Sequence, residues 1–213
     1  MFRPSISIAL TIAAFAADAD SIVRLTDSSG NAVPDAVVYL ENLSGMPAAE
    51  DPLGAVIDQR NEQFVPQITV VQAGAAIAFP NSDEVGHHVY SFAQPNSFEL
   101  PLYKGEIRPE IRFRHPGIVT LGCNIHDSML GYVLVVDTPY FGVSDADGRV
   151  ELGDLPPGSY AVSAWTLAAN PLEPERLGQV EVAGGSQEFA LRVKTRGLAT
   201  GTTHGTALSW DEY

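Results

Sequence analysis

Residues Val119–Val136 read VTLGCNIHDSMLGYVLVV and hold the only cysteine of the 213-residue chain. Cys123 is followed by His126 three residues on and by Met129 three after that. Apolar, β-branched runs flank this Cys-x-x-His-x-x-Met segment, so it reads as a tight loop closing two adjacent strands. A thiolate, an imidazole and a thioether from one short loop are three of the donors of a mononuclear copper site. Such sites take one Cys and two His in a trigonal plane, with Met as a weak, long axial ligand. The fourth donor must be a second histidine from elsewhere in the chain.

Of the five histidines, the pair His87 and His88 in NSDEVGHHVYSF is the strongest source. Both open a short alternating run after the turn-rich Pro80, Asn81, Ser82 and Asp83. Period-2 alternation puts His87 with Val89 on one face and His88 with Tyr90 and Phe92 on the other. Alternation alone does not choose between them. Either one lies too far along the chain for a local motif, so the fold must lay its strand beside the Cys123 loop. His115 precedes Pro-Gly at a turn and His204 lies in a polar tail; both read as exposed.

The formal charge of −14 argues against a nucleic-acid surface, which needs Lys and Arg to neutralise phosphates, and equally against an anionic membrane surface. An acidic surface suits steered encounter with a basic partner. The N-terminal segment carries Arg3, an apolar run from Ile6 to Ala17, and small-residue patterns at Ala14-Phe15-Ala16 and Ala17-Asp18-Ala19. This is the pattern of a signal peptide over residues 1–19, too short for a membrane span. An exported, periplasmic chain with no integral membrane segment after cleavage is the expectation. In an exported protein a lone cysteine is a free thiol, an intermolecular bridge or a metal ligand.

Taken in order, residues 21–43 read as two strands around Ser28-Ser29-Gly30-Asn31. Residues from Ser44 to about Asp58 read as loose, and Phe64–Phe79 as strands with a hairpin turn at Gly74. A short strand is expected from Phe98 to Tyr103, in an otherwise Pro- and Gly-rich excursion. After Thr138-Pro139 the rhythm changes to short strands punctuated by Asp147-Gly148 and Pro157-Gly158. Leu167–Arg176 holds at most a turn, and residues 196–213 read as a disordered tail. The chain is therefore expected to be all-β.

Residues 61–137 resemble the cupredoxins, the blue-copper sandwich family. The resemblance rests on ITVVQAGAAIAFPNSDEVGHHV, on the turn Phe113-Arg114-His115-Pro116-Gly117, and on LGCNIHDSMLGYVLVV. The spacing of the ligand loop is similar to that of amicyanin. HHVYSF, FELPLY and LGCNIHDSMLGYVLVVDTPYF are similar to exported cupredoxin-like proteins labelled methylamine-utilisation proteins. The resemblance implies a Greek-key sandwich with one type 1 copper on His87, Cys123, His126 and Met129, His88 being the alternative first ligand. It departs from the family in one place, because His88 stands where blue-copper proteins commonly have an Asn that ties the two ligand loops together. SDADG with LPPGSY, residues 144–148 and 155–160, resembles carboxypeptidase-regulatory or transthyretin-like β-domains. The implied plan is N-terminal strands over 20–45, a cupredoxin domain over 46–137 and a small Ig- or transthyretin-like sandwich over 138–195, the first and last pieces forming one unit.

The function implied is single-electron transfer with a redox partner protein, and the alternative is a periplasmic copper carrier with no redox role. An enzyme is not expected. A cysteine hydrolase needs a separately placed base and an oxyanion hole, and a multicopper oxidase needs more histidines than the chain has. No phosphate loop or dinucleotide fingerprint occurs.

Overall fold

The computed structural model describes residues 20–45, 52–105 and 109–196. The leader and tail expectations therefore fall outside the described residues. Among those described, every regular element is a strand, and the all-β expectation holds. No helix there is long and apolar enough to cross a membrane.

The strands are β1 (Asp20–Thr26), β2 (Val37–Asn42), β3 (Ala55–Val56), β4 (Asp58–Arg60), β5 (Gln63–Val65), β6 (Ile68–Gln72), β7 (Ala76–Ala78), β8 (His87–Ser91) and β9 (Phe98–Tyr103). They continue as β10 (Glu110–Arg112), β11 (Gly117–Cys123), β12 (Leu130–Val136), β13 (Tyr140–Val143), β14 (Arg149–Asp154), β15 (Gly158–Trp165), β16 (Glu175–Val182) and β17 (Gln187–Arg192).

The middle of the chain forms a β-sandwich. A five-stranded sheet in the order β6-β12-β11-β8-β9 faces the three-stranded sheet β10-β7-β3 and the β4–β5 hairpin. Alternation supplies the core between them: Val89, Val119, Leu121, Val133 and Val135 from the large sheet meet Ile57, Phe64, Ile77, Phe79 and Phe113. Phe98 stands edge-on to Phe113 at 5.7 Å, an arrangement that favours the ring quadrupoles.

A second sandwich is made from both ends of the described chain. β1 pairs antiparallel with β14 and parallel with β17. β2 sits between β13 and β15, with β16 at the edge. Leu25, Val38, Leu40, Val150, Tyr160 and Val162 fill this core. The two sandwiches share a seam. In β12, Val133 and Val135 enter the first core, while Leu134 and Val136 face outward against Val37 of β2 and Trp165 of β15. Both faces of β12 are covered, which explains its unbroken apolar run where an exposed antiparallel sheet would alternate with polar residues.

Two local expectations are corrected. Gly74 (φ +97) does mark a turn, but not of a hairpin. β6 pairs parallel with β12 and β7 antiparallel with β10, so the turn carries the chain from one layer to the other. The expected turn between two strands forms at residues 27–31, with the Gly30 and Asp27 N–H groups donating to Asp27 and Asn31 carbonyls, and β1 and β2 on either side of it enter different sheets. A tight turn between two apolar runs looks the same in sequence whether the strands pair or part. Within 44–58, β3 and the start of β4 are ordered strands too short to show a period.

One buried carboxylate pins the hairpin to the loop before β8. Asp58 accepts from the Gln59 N–H (2.8 Å), the Ser82 hydroxyl (2.8 Å) and Arg60 Nε (2.6 Å). Burial alone would raise its pKa, but the Ser82 hydroxyl, Arg60 and the Gln59 N–H outweigh burial and hold it below the ordinary 3.8. A folded-state value below the unfolded one stabilises the protein above the ordinary carboxylate range, and that contribution is lost as pH falls through the folded value. Asp58→Asn is therefore expected to lower stability at neutral pH and to flatten the acid-side fall below about pH 4. Urea midpoints measured against pH for both proteins check this, and parallel curves would refute it.

Candidate metal centre

Cys123 is the last residue of β11, and the antiparallel register sets it opposite Val89 of β8, with Gly122 opposite Tyr90. His87 lies two residues before Val89 on the same face, so His87 and Cys123 are diagonal cross-strand neighbours. The separation of 36 residues is closed by sheet pairing alone. Gly122 has a local reason to be glycine: a Cβ there would stand 2.8 Å from Tyr90 Cζ, so its absence lets the Tyr90 ring lie across the strand beside Cys123.

The loop from Asn124 to Met129 brings His126 back over the sulfur. The Asn124 N–H donates to the His88 carbonyl at 3.0 Å and the Met129 N–H to the His126 carbonyl at 2.9 Å. The first of these joins the two ligand loops through the backbone, a tie that does not depend on an Asn after His87. Met129 is 1% exposed and packs in the same core cluster as Cys123.

Three donor atoms converge. His87 Nδ1 is 3.6 Å from Cys123 Sγ, His126 Nδ1 is 3.8 Å from the same sulfur, and the two Nδ1 atoms are 3.2 Å apart. A triangle with these sides has a circumradius of about 2.1 Å, the length of a metal–imidazole bond (about 2.0–2.1 Å). His87, Cys123 and His126 form the one group of metal-binding side chains of this kind among the described residues. A thiolate with two imidazoles, and a thioether residue in the same loop, make a donor set that suits copper better than hard cations.

The two adjacent histidines have opposite fates. His87 is fully buried, whereas His88 points outward and pairs with Glu99 at 2.8 Å. His115 is exposed and its backbone exchanges hydrogen bonds with the Asn96 side chain.

Two acidic residues stand behind the two imidazoles. Asp83 Oδ2 is 2.8 Å from His87 Nε2, and Glu62 Oε1 is 3.8 Å from His126 Nε2. Burial works to raise the Asp83 pKa, yet the Glu62 N–H, His87 and the Asn61 N–H together keep it below the usual carboxylate value. Asp83 had been legible only as part of a turn. Its i,i+4 spacing to His87 was the sole available hint, and Glu62 offered none.

The structure thus presents a His–Cys–His cluster at one end of a β-sandwich. No protein-family model and no curated protein sequence matches the chain. Among solved structures, the copper-containing nitrite reductase from Thermus scotoductus SA-01 is similar at 22% identity and TM-score 0.38, over 45% of this chain and 25% of its own. A reduced amicyanin variant is similar at 19% identity and TM-score 0.37, over 46% of this chain and 99% of its own. A novel purple cupredoxin from Nitrosopumilus maritimus is similar at 21% identity and TM-score 0.35, over 39% of this chain and 99% of its own. The chain thus spans a quarter of the nitrite reductase, and each likeness is confined to less than half of this chain.

Proposed function

We propose that the protein binds one copper ion as a type 1 centre and carries single electrons for a partner protein outside the cytoplasm. The observation that carries this reading is the Nδ1–Sγ–Nδ1 triangle, sized for a metal and made of one thiolate and two imidazoles. His87, Cys123 and His126 would hold the ion, with Met129 as the weak axial donor. Bound copper supplies a one-electron couple.

The chain's own residues suit that task. Cys123 sits at a strand end and His87 at a strand start, and backbone hydrogen bonds fix the loop that follows Cys123. A rigid donor set changes little between two oxidation states. His87 is sealed from water, whereas His126 is half-buried, between the exposed Ile125 and Asp127. One partly exposed imidazole beside the exposed Ile125 is a surface on which a partner can dock closely. The charge of −14 favours a basic partner, through on-rate more than affinity. Cys123 is 3% exposed beneath both imidazoles, which speaks for a carrier over a thiol enzyme, since a substrate carbonyl would lack access to the sulfur. In this reading residues 46–137 form the copper unit, and 20–45 with 138–195 form the platform on which it sits. Export by cleavage of residues 1–19 places the protein in the periplasm.

The test is a titration of the mature protein with Cu(II), followed by visible absorption and electron paramagnetic resonance. One equivalent is expected to give an intense thiolate-to-copper band and a narrow copper hyperfine splitting, both absent in Cys123→Ser. An ordinary tetragonal signal that survives the substitution would sink the reading. Reversible one-electron voltammetry then separates a carrier of electrons from a carrier of copper.

A further inference from the structure

All three close approaches at the centre are made through Nδ1, so the Nε2 atoms of both histidines point away from the donor triangle. What stands behind each Nε2 differs. Behind His126 the Glu62 carboxylate is 3.8 Å away and 57% exposed, hence screened by solvent. Behind His87 the Asp83 carboxylate is 2.8 Å away, with the two side chains 0% and 10% exposed.

Asp83 is itself built into place. Its Oδ1 accepts the Asn61 N–H at 2.5 Å and its Oδ2 the Glu62 N–H at 2.9 Å. Those two residues form the turn between β4 and β5, both at positive φ (51 and 56), so successive N–H groups face the same anion. Positive φ is uncommon for a residue such as Glu62. Behind the carboxylate, Asn81 Oδ1 accepts the Asp83 N–H at 2.9 Å, and Asn81 Nδ2 donates to the Val85 and Tyr103 carbonyls at 3.0 Å each. A carboxylate fixed by two backbone donors leaves the third partner, His87 Nε2, one role: donor of its proton. The lone pair is then on Nδ1, facing the sulfur.

Resting on the copper reading above, we propose that Asp83 is a positioning residue of this centre. It locks His87 as the Nε2–H tautomer, and it biases the bound ion towards its oxidised state. The physical reason is charge. A fixed anion behind a buried imidazole orients the ring through its Nε2–H, and it attracts a dication more strongly than a monocation across the same distance.

The test compares wild type, Asp83→Asn and Asp83→Glu as full chains. Cu(II) and Cu(I) affinities are measured by chelator competition, the midpoint potential by spectroelectrochemistry, and the His87 tautomer by ¹⁵N–¹H correlation in metal-free wild type. Asp83→Asn is expected to weaken Cu(II) binding roughly 10- to 100-fold and Cu(I) binding less. Each tenfold fall in the affinity ratio raises the one-electron potential by about 59 mV. Asp83→Glu, which keeps the charge, should recover part of the shift, and wild-type His87 should carry its proton on Nε2. Equal weakening of both oxidation states at unchanged potential would overturn the proposal, as would a proton on Nδ1; the latter needs no variant to fold and no metal to bind. A wild type that takes copper with the thiolate band while Asp83→Asn shows no shift refutes this inference alone. A wild type without that band refutes the copper reading, and the redox half of the inference with it.

Discussion

Replacing His87 by alanine is expected to abolish the thiolate-to-copper band and to weaken copper binding by more than the roughly 10- to 100-fold typical of losing a group behind a ligand. The neighbouring His88→Ala should leave both intact. The contrast follows from one residue of register. His87 has no exposed surface, lies 3.6 Å from Cys123 Sγ and 3.2 Å from His126 Nδ1, and supplies one corner of a three-cornered site. His88 faces outward, 20% exposed, against the 69% exposed Glu99. An exposed pair of that kind contributes at most about 1 kcal/mol. His87→Ala also leaves Asp83 without its imidazole partner, so a loss of stability should accompany the loss of the site. Copper titration followed at the charge-transfer band, with circular dichroism to show that each variant is folded, checks both halves. A band that survived in His87→Ala and vanished in His88→Ala would mean that β8 is out of register by one residue.

Trp165→Ala is expected to cost about 3–5 kcal/mol, the range for truncating a large buried aromatic. Trp165 is 1% exposed and belongs to the seam between the sandwiches, with Val37, Ile68, Leu134 and Val136. Its ring lies 5.6 Å from that of Tyr132, and its Nε1–H donates to the Pro171 carbonyl at 3.2 Å. Truncation therefore opens a cavity against both units and strands a carbonyl. Cys123 and Met129 belong to a different cluster, so the copper band should be unchanged in the folded variant. Denaturant unfolding of the full chain, read by fluorescence and by the copper band, gives the measurement. A cost below about 0.5 kcal/mol, the level of an ordinary surface change, would show that the seam does not couple the sandwiches.

The ligand loop was legible because its chemistry is local. Cys123, His126 and Met129 fall within seven consecutive residues between two apolar runs, and no long-range pairing is needed to bring such residues near one another. The all-β class was legible for a similar reason, since alternation and turn residues are properties of short windows. Asp147-Gly148, for example, forms a turn with Gly148 at φ +71, and an added Cβ there would collide with the Leu25 carbonyl.

What the amino-acid sequence determined by itself was therefore the local Cys123, His126 and Met129 grouping and the strand character of the chain. The tertiary structure decided which of two adjacent histidines joins the site. Alternation assigns residues to two faces, but only burial against a partner layer says which face is inside. It also decided that the turn at Gly74 parts its strands, and that β1 and β2 join strands from the far end of the chain, because pairing partners are set by the competition among all strands for one core. Asp83 behind His87, and the Asn61–Glu62 turn that holds it, were decided there as well. Their contacts span 21 and 22 residues, and an acidic residue in a turn-rich loop carries no mark of the imidazole it will meet.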